Sequence, residues 1–184
     1  GTSRAGHRRR GRALKSAAAG SKTLDALLAG IAAAPAIEIV GLALDSRAVR
    51  KGDAFIALRG GNHHGLEHQS QAIAAGARAV LWDPGEGRMP DVAPDQVANV
   101  PVPALRSRLG EIADRFYGAP WSRLAVAGVT GTNGKTTCAW LLASAANGAA
   151  RRGAYLGTLG SGFPPELASA ALTTPDVVTL HRQL

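Results

Sequence analysis

Residues 128–137 read Gly-Val-Thr-Gly-Thr-Asn-Gly-Lys-Thr-Thr, and their types and spacing suit one chemistry, the holding of phosphate. A phosphate group needs several hydrogen-bond donors converging on one point. Bare backbone N–H groups at a helix start provide them, and the helix dipole adds a favourable potential. Glycines let the chain curl tightly enough for those groups to point inward. Gly128, Gly131 and Gly134 are spaced through the expected turn. Gly131, Thr132, Asn133 and Gly134 would then wrap the phosphates of ATP. Lys135 would set a cation on the β- and γ-phosphates and is the candidate catalytic group. The Thr136 hydroxyl can ligate Mg²⁺, and Thr137 can donate to an α- or β-phosphate. The strict Walker spacing would need glycine at position 129, where Val129 stands. The competing reading is a glycine-rich β-turn with a chance Gly-Lys-Thr. Context argues against it: an apolar run of strand length, Leu124–Val129, precedes the loop, and a helix is expected from about Lys135 to Ala146. Cys138 lies inside that helix and reads as packed rather than reactive.

The elements that must position this loop follow from hydrophobic periodicity. Leu24, Leu27, Leu28 and Ile31 fall on one helical face, with Thr23 as N-cap and Pro35 as terminator. Ala36–Leu44 is a β-type run, Ala54–Leu58 a second strand, Arg78–Trp82 a buried strand and Val97–Val102 another. Gln69–Ala77 reads as a helix ending at Gly76. Leu105, Leu109, Ile112, Ala113 and Phe116 stripe an amphipathic helix over Ala104–Tyr117, and Gly118-Ala119-Pro120 stops it at a domain boundary. Ala154–Gly157 should be the strand after the loop helix. Strand, helix and strand in this order form a βαβ unit and imply a parallel sheet. The expected fold class is α/β: a small N-terminal α/β domain, then the first βαβ part of a P-loop parallel-sheet domain. The expected divisions are an arm at 1–20, a domain at 21–103, a helix and linker at 104–120, and the start of an ATP-binding domain at 121–184.

Composition bounds the function. The 184 residues are 46% hydrophobic and only 4% aromatic, so the core must be aliphatic. The net charge of +8 looks like a nucleic-acid signal. However, Arg4, Arg8, Arg9, Arg10, Arg12 and Lys15 supply most of it from the first fifteen residues. The rest of the chain holds 15 basic against 13 acidic residues. The basicity therefore belongs to an arm, and no aromatic residues interleave it to stack on bases. No nucleic-acid partner is expected. No apolar run approaches the roughly 20 residues of a membrane span, and no secretory signal is visible. The single cysteine fits a reducing compartment. Together these features predict a soluble cytoplasmic protein.

The loop string resembles the ATP loop of the Mur ligases and of their relatives, the folylpolyglutamate synthetases. Leu44-Asp45-Ser46-Arg47, followed by Lys51-Gly52-Asp53-Ala54-Phe55 and on to Gly60, is similar to that family's N-terminal domain. Ala72–Val80 with Trp82, and Arg115-Phe116-Tyr117-Gly118, continue the likeness. Gly157-Thr158-Leu159-Gly160 and Leu172-Thr173-Thr174-Pro175-Asp176 resemble the branch that adds the third amino acid of the peptide. The resemblance covers about residues 23–184. It implies ATP-dependent amide formation in peptidoglycan precursor synthesis, through an acyl phosphate. The implied partners are UDP-MurNAc-L-Ala-D-Glu and a diamino acid, meso-diaminopimelate or L-lysine. The implied uridine-diphosphate contacts are Leu44, Ser46, Gly61, Asn62 and His63, and Thr173 and Thr174 would hold the muramoyl-peptide.

Other readings of these residues stay open at this stage. Ser46 could cap a turn, and Thr173-Thr174-Pro175 could be a plain loop. His63, His64 and His68 are irregularly spaced, with no cysteine beside them, and read as loop histidines rather than metal ligands. Some family members carry His where this chain has Gly61, or Asn where it has Leu172, and each difference removes one donor. The resemblance also places the second metal site and the amino-acid-holding domain beyond Leu184. The expectation is that residues 1–184 do not ligate by themselves. Another Mur-type ligase, or a non-catalytic nucleotide-binding fragment, are the alternatives.

Overall fold

The computed structural model describes residues 20–61, 63–91, 97–149, 151–168 and 175–184. They fall into two compact units. One runs to Arg123 and takes in Val177–Arg182, and the other holds Leu124–Asp176 with Gln183–Leu184.

The first unit begins with β1 (Lys22–Thr23), α1 (Leu24–Leu27) and β2 (Glu38–Ile39), with β1 and β2 paired antiparallel. Thr23 occupies the N-cap position in extended conformation, but its side chain makes no capping bond. The β-type run from 36 to 44 is split. Ile39 pairs with Lys22, whereas Gly41 opens β3 (Gly41–Ala43) in a different sheet. The exposed Val40 lies between them.

That second sheet has four parallel strands in sequence order: β3, β4 (Asp53–Ala57), β5 (Ala79–Trp82) and β6 (Ala98–Pro101). A parallel sheet covered on both faces needs strands that are apolar throughout. Every residue of β4 and β5 is buried. Successive side chains alternate between faces, and the core divides accordingly. Ala54, Ile56, Ala79, Leu81 and Val100 pack into one cluster with α1 and the later helix at Leu105–Tyr117. Phe55, Ala57, Val80 and Trp82 pack into the other, with Leu66 and Ala72. The expected parallel α/β architecture is therefore present in this unit.

Helix α2 (Gln69–Ala74) returns the chain from β4 to β5. After β6, α3 (Leu105–Tyr117) lays its predicted stripe into the first cluster: Leu105, Leu109, Ile112, Ala113 and Phe116 are all buried. Each large member contributes on the order of 1.5–3 kcal/mol by leaving water. Two long-range contacts fix α3. The Leu105 N–H donates to Asp83 Oδ2 at 3.1 Å, which sets a carboxylate at the helix start. Arg115 donates to the carbonyls of Leu27 and Ala29, at 3.1 and 2.7 Å, where the first helical segment ends.

The last helix of the chain, α5 (Val177–Gln183), supplies Val178 to the first cluster. Trp121, in the turn Pro120–Arg123, donates its indole N–H to His181 Nε2 at 2.7 Å. The two rings meet edge to face, with centroids 5.5 Å apart. His181 Nδ1 lies 2.7 Å from the Val177 carbonyl oxygen. With Nε2 accepting, the ring proton sits on Nδ1 and donates to that carbonyl.

The second unit holds α4 (Lys135–Gly148) and an antiparallel sheet of β7 (Tyr155–Gly157), β8 (Gly160–Phe163) and β9 (Glu166–Ala168). Two expectations need correction here. Residues 124–129 form no strand, and Leu124, Val126 and Val129 are exposed. A strand exists only against a neighbour that takes its backbone hydrogen bonds, and no described segment pairs with this one. The strand at 155–157 does form, but it pairs antiparallel with β8 across a tight turn rather than parallel with 124–129.

Candidate functional site

The phosphate-binding candidates stand together at the start of α4. Gly134 is the residue before the helix and has φ 76°, while Gly131 has φ 140°. Side-chain-bearing residues avoid both conformations, so these two glycines are fixed by backbone shape. The helical ladder starts with Cys138 N–H donating to Gly134 O at 2.9 Å. The N–H groups of Lys135, Thr136 and Thr137 precede that ladder, as the free donors of a helix start do. Thr132, Asn133, Lys135 and Thr137 are exposed, and Thr136 is half-buried. Lys135 Nζ folds back onto the loop, donating to the Gly131 carbonyl and, at 3.2 Å, to the Thr132 carbonyl. The donor set at the helix start suits an anion: the backbone N–H groups of Lys135, Thr136 and Thr137, the hydroxyls of Thr136 and Thr137, and the Lys135 ammonium. The Thr136 hydroxyl is the candidate Mg²⁺ ligand of this group.

Cys138 is exposed, contrary to the packed reading. Among α4 residues only Ala143 is buried, and Cys138 is not on the covered side.

The second group of candidates gathers at the carboxyl ends of the parallel strands, where open α/β sheets place their ligands. Leu44 and Ser46 follow β3. Leu44 packs against the first core cluster. Asp45, not Ser46, caps the short 3₁₀ turn Ser46–Ala48, accepting from Arg47 N at 2.9 Å. The Arg47 guanidinium also grips this carboxylate, which holds Asp45 below the usual aspartate range. Ser46 is buried and donates its hydroxyl to Gln71 Oε1 at 2.7 Å. Its oxygen keeps lone pairs for an incoming donor.

The segment after β4 turns through Arg59–His64, with its two ends bridged to each other. Beside it, the turn Pro84–Glu86 follows β5. An open cleft of about 410 Å³ lies between them, and Gly61 and His63 are among its lining residues. Arg59 and Arg88 bring positive charge to the same cleft. Sequence reasoning missed both arginines, and it missed Glu67 and Glu86. Glu67 joins the loop together: it accepts from the His64 backbone N–H at 3.2 Å, contacts His63 Nδ1 at 3.2 Å and pairs with Arg88 at 3.3 Å. Those contacts, the backbone N–H first, hold its carboxyl below the ordinary glutamate value of 4.5. The stabilisation is therefore complete above that value and is lost as pH falls through the lowered one. Unfolding measured from about pH 6 down to about pH 3 should lose less stability in Glu67→Gln than in the parent chain; parallel curves would refute this. Asn62, Thr173 and Thr174, with Leu172, lie outside the described residues. Among the described residues no group of three His, Cys, Asp or Glu side chains is arranged to hold a metal, and no helix is long and apolar enough to cross a membrane.

Comparison with known proteins bears on both units. Residues 38–117 match the model described as "Mur ligase family, catalytic domain", and residues 129–184 match "Mur ligase middle domain". The chain belongs to the Mur ligase family. Among curated Mur ligases, it is 48% identical over 154 residues to the UDP-N-acetylmuramoyl-L-alanyl-D-glutamate--2,6-diaminopimelate ligase of Alkalilimnicola ehrlichii. That match covers 78% of this chain and 30% of the relative. It is 44% identical over 161 residues to the enzyme of the same name from Xanthomonas campestris pv. campestris, covering 88% and 32%. A solved structure of a ligase with that name superposes with a TM-score of 0.65 at 27% identity, over 89% of this chain and 32% of that one. A D-alanyl-D-alanyl-adding Mur ligase from Acinetobacter baumannii superposes less well, with a TM-score of 0.55 at 26% identity over 71% and 29%. The chain thus spans about a third of the length of the curated relatives it matches.

Proposed function

We propose that this chain is the amino-terminal part of a cytoplasmic, ATP-dependent ligase that adds meso-diaminopimelate to UDP-MurNAc-L-Ala-D-Glu in peptidoglycan precursor synthesis. The observation that carries the reading is the arc of donors from Gly131 to Thr137, in a chain whose two parts match one and the same ligase family. The diamino acid is taken from the names of the relatives. On this reading residues 21–103 form the UDP-substrate domain, 104–120 the connecting helix and linker, and 121–184 the start of the ATP-binding domain.

The chemistry explains the residue types. A free carboxylate is a poor electrophile. In the proposed reaction an oxygen of the substrate's D-Glu carboxylate bonds to the γ-phosphorus of ATP, and ADP departs with the electrons of the broken P–O bond. The diamino acid's amine then attacks the acyl carbon, the C–O bond to phosphate breaks, and the amine loses a proton as the amide forms. Negative charge spreads over the phosphoryl oxygens during transfer. Preorganised donors help most where charge develops. Lys135 would turn from the loop carbonyls to those oxygens, with the N–H groups of Gly131–Thr137 around the phosphates. Bound Mg²⁺, held through the phosphates and Thr136, would supply further positive charge.

The UDP end would lie across the carboxyl ends of β3 and β4, against Leu44, Ser46, Gly61, Asn62 and His63, with Thr173 and Thr174 on the muramoyl-peptide. Ser46 already donates to Gln71, so it would act as an acceptor, suited to the imide N–H of uracil or a ribose hydroxyl. Calorimetry tests the reading: the chain should bind UDP-MurNAc-L-Ala-D-Glu and MgATP. Tighter binding of the UDP-MurNAc-tripeptide would instead point to a D-Ala-D-Ala-adding ligase. Ser46→Ala should weaken the UDP ligand roughly 3- to 10-fold, the worth of one hydrogen bond. An unchanged affinity would remove Ser46 from the site.

A further inference from the structure

Glu86 is mostly buried and lines the same cleft as Gly61 and His63. Its Oε2 accepts the Arg59 backbone N–H at 3.0 Å and lies 2.9 Å from His64 Nε2. Arg59 and His64 are the two feet of the loop that carries Gly61, Asn62 and His63. Gly60 N–H donates to the His63 carbonyl at 2.8 Å and closes the loop above them. One carboxylate oxygen from the turn after β5 therefore bonds one end of the loop after β4 and lies against the other.

The histidine side of this contact is constrained as well. His64 is buried, and its Nδ1 accepts the Leu66 N–H at 3.1 Å. The ring proton of the neutral form must then sit on Nε2, the atom that faces Glu86. The contact is oblique, and Nε2 has no aligned hydrogen-bond partner. His64 also meets Glu67, through its own N–H. Glu86 is itself held. Asp83 caps its turn at Gly85 N, 2.9 Å, while the other Asp83 oxygen takes the Leu105 N–H. A continuous set of contacts thus runs from the start of α3 through this turn to the loop lining the cleft.

We infer that Glu86 and His64 are positioning residues for the nucleotide-diphosphate end of the substrate: they set the two ends of this loop so that Gly61 and His63, which line the cleft, stand where the ligand meets them. The inference rests on the cleft being the UDP-substrate site. Ends held in place before the ligand arrives spare binding part of the ordering cost.

The test is calorimetric titration with UDP-MurNAc-L-Ala-D-Glu, with thermal unfolding and MgATP titration run alongside. Glu86→Ala should bind the UDP ligand about tenfold more weakly. Glu86→Gln keeps an oxygen where Oε2 makes both contacts, and should recover to within about threefold of the parent chain. His64→Asn keeps an acceptor for Leu66 N–H but loses the imidazole, and should resemble Glu86→Ala. MgATP affinity should be unchanged in all three. The inference is overturned if folded Glu86→Ala or folded His64→Asn binds the UDP ligand as the parent chain does. It is equally overturned if Glu86→Gln is as weak as Glu86→Ala. Should Glu86→Ala fail to fold, Glu86→Gln and His64→Asn decide. A parent chain that binds no UDP ligand would instead overturn the assignment of the cleft, and the positioning role with it. That outcome is separate, because it is read before any variant is made.

Discussion

Lys135→Ala is expected to weaken MgATP binding by roughly 10- to 100-fold, the worth of one hydrogen bond to a charged group. Lys135 is exposed and bonds only to the carbonyls of its own loop, so the substitution should leave thermal stability almost untouched. Its effect is thus confined to the ligand. Lys135→Arg keeps the charge but replaces a compact ammonium by a planar fork, and should fall between the parent chain and the alanine variant. Calorimetry with MgATP and with ADP reads both variants. The loss should be larger for ATP, because the ammonium is assigned to the β- and γ-phosphates. An alanine variant with parental ATP affinity would show that the loop is not a phosphate site, whatever its backbone shape.

Phe116→Ala should cost the first unit about 3–5 kcal/mol, from a total of about 5–15 kcal/mol for a typical domain. Phe116 is 1% exposed and belongs to the cluster that α1, α3 and one face of the parallel sheet share. Its ring meets Tyr117 edge to face, with centroids 5.1 Å apart. Removing it leaves a hole that the strands cannot collapse into without breaking their register. Chemical denaturation followed through β-sheet circular dichroism should show the lowered midpoint. A cost below about 1 kcal/mol would mean that this face of the sheet is not the core.

The sequence revealed the elements whose signals are local and periodic. The α3 stripe was visible because every buried position recurs at helical spacing and Gly118 stops the helix. Strands β4 and β5 were visible as short unbroken apolar runs between turn residues, and α4 as the helix after the glycine loop. The run 36–44 misled because apolarity does not say which partner a strand chooses: Ile39 and Gly41 pair in different sheets, with one residue between them. The segment 124–129 misled for a related reason. Its composition is that of a strand, but pairing is a property of two segments. The phosphate candidates were legible because they are consecutive, so one stretch of chain brings them together. The cleft was legible only in part. Gly61 and His63 were named through family likeness. Arg59, Arg88, Glu67 and Glu86 come from three separate stretches that meet only once the sheet forms. Three histidines near one another were the only local signal there, and it identified none of those partners.

The hydrogen bond from Trp121 to His181 bears on how this protein can vary. Trp121 is where the chain leaves the first unit, and His181 is where it has come back. In sequence, the stretch Leu124–Asp176 lies between these two aromatic rings. The entropy of closing such a loop grows only with the logarithm of its length, by about 0.6 kcal/mol per doubling. While the Trp121–His181 contact holds, a change in the length of that stretch should cost the first unit's sheet little. The phosphate loop is thus carried on a part of the chain that can change in size without the first unit having to be rebuilt.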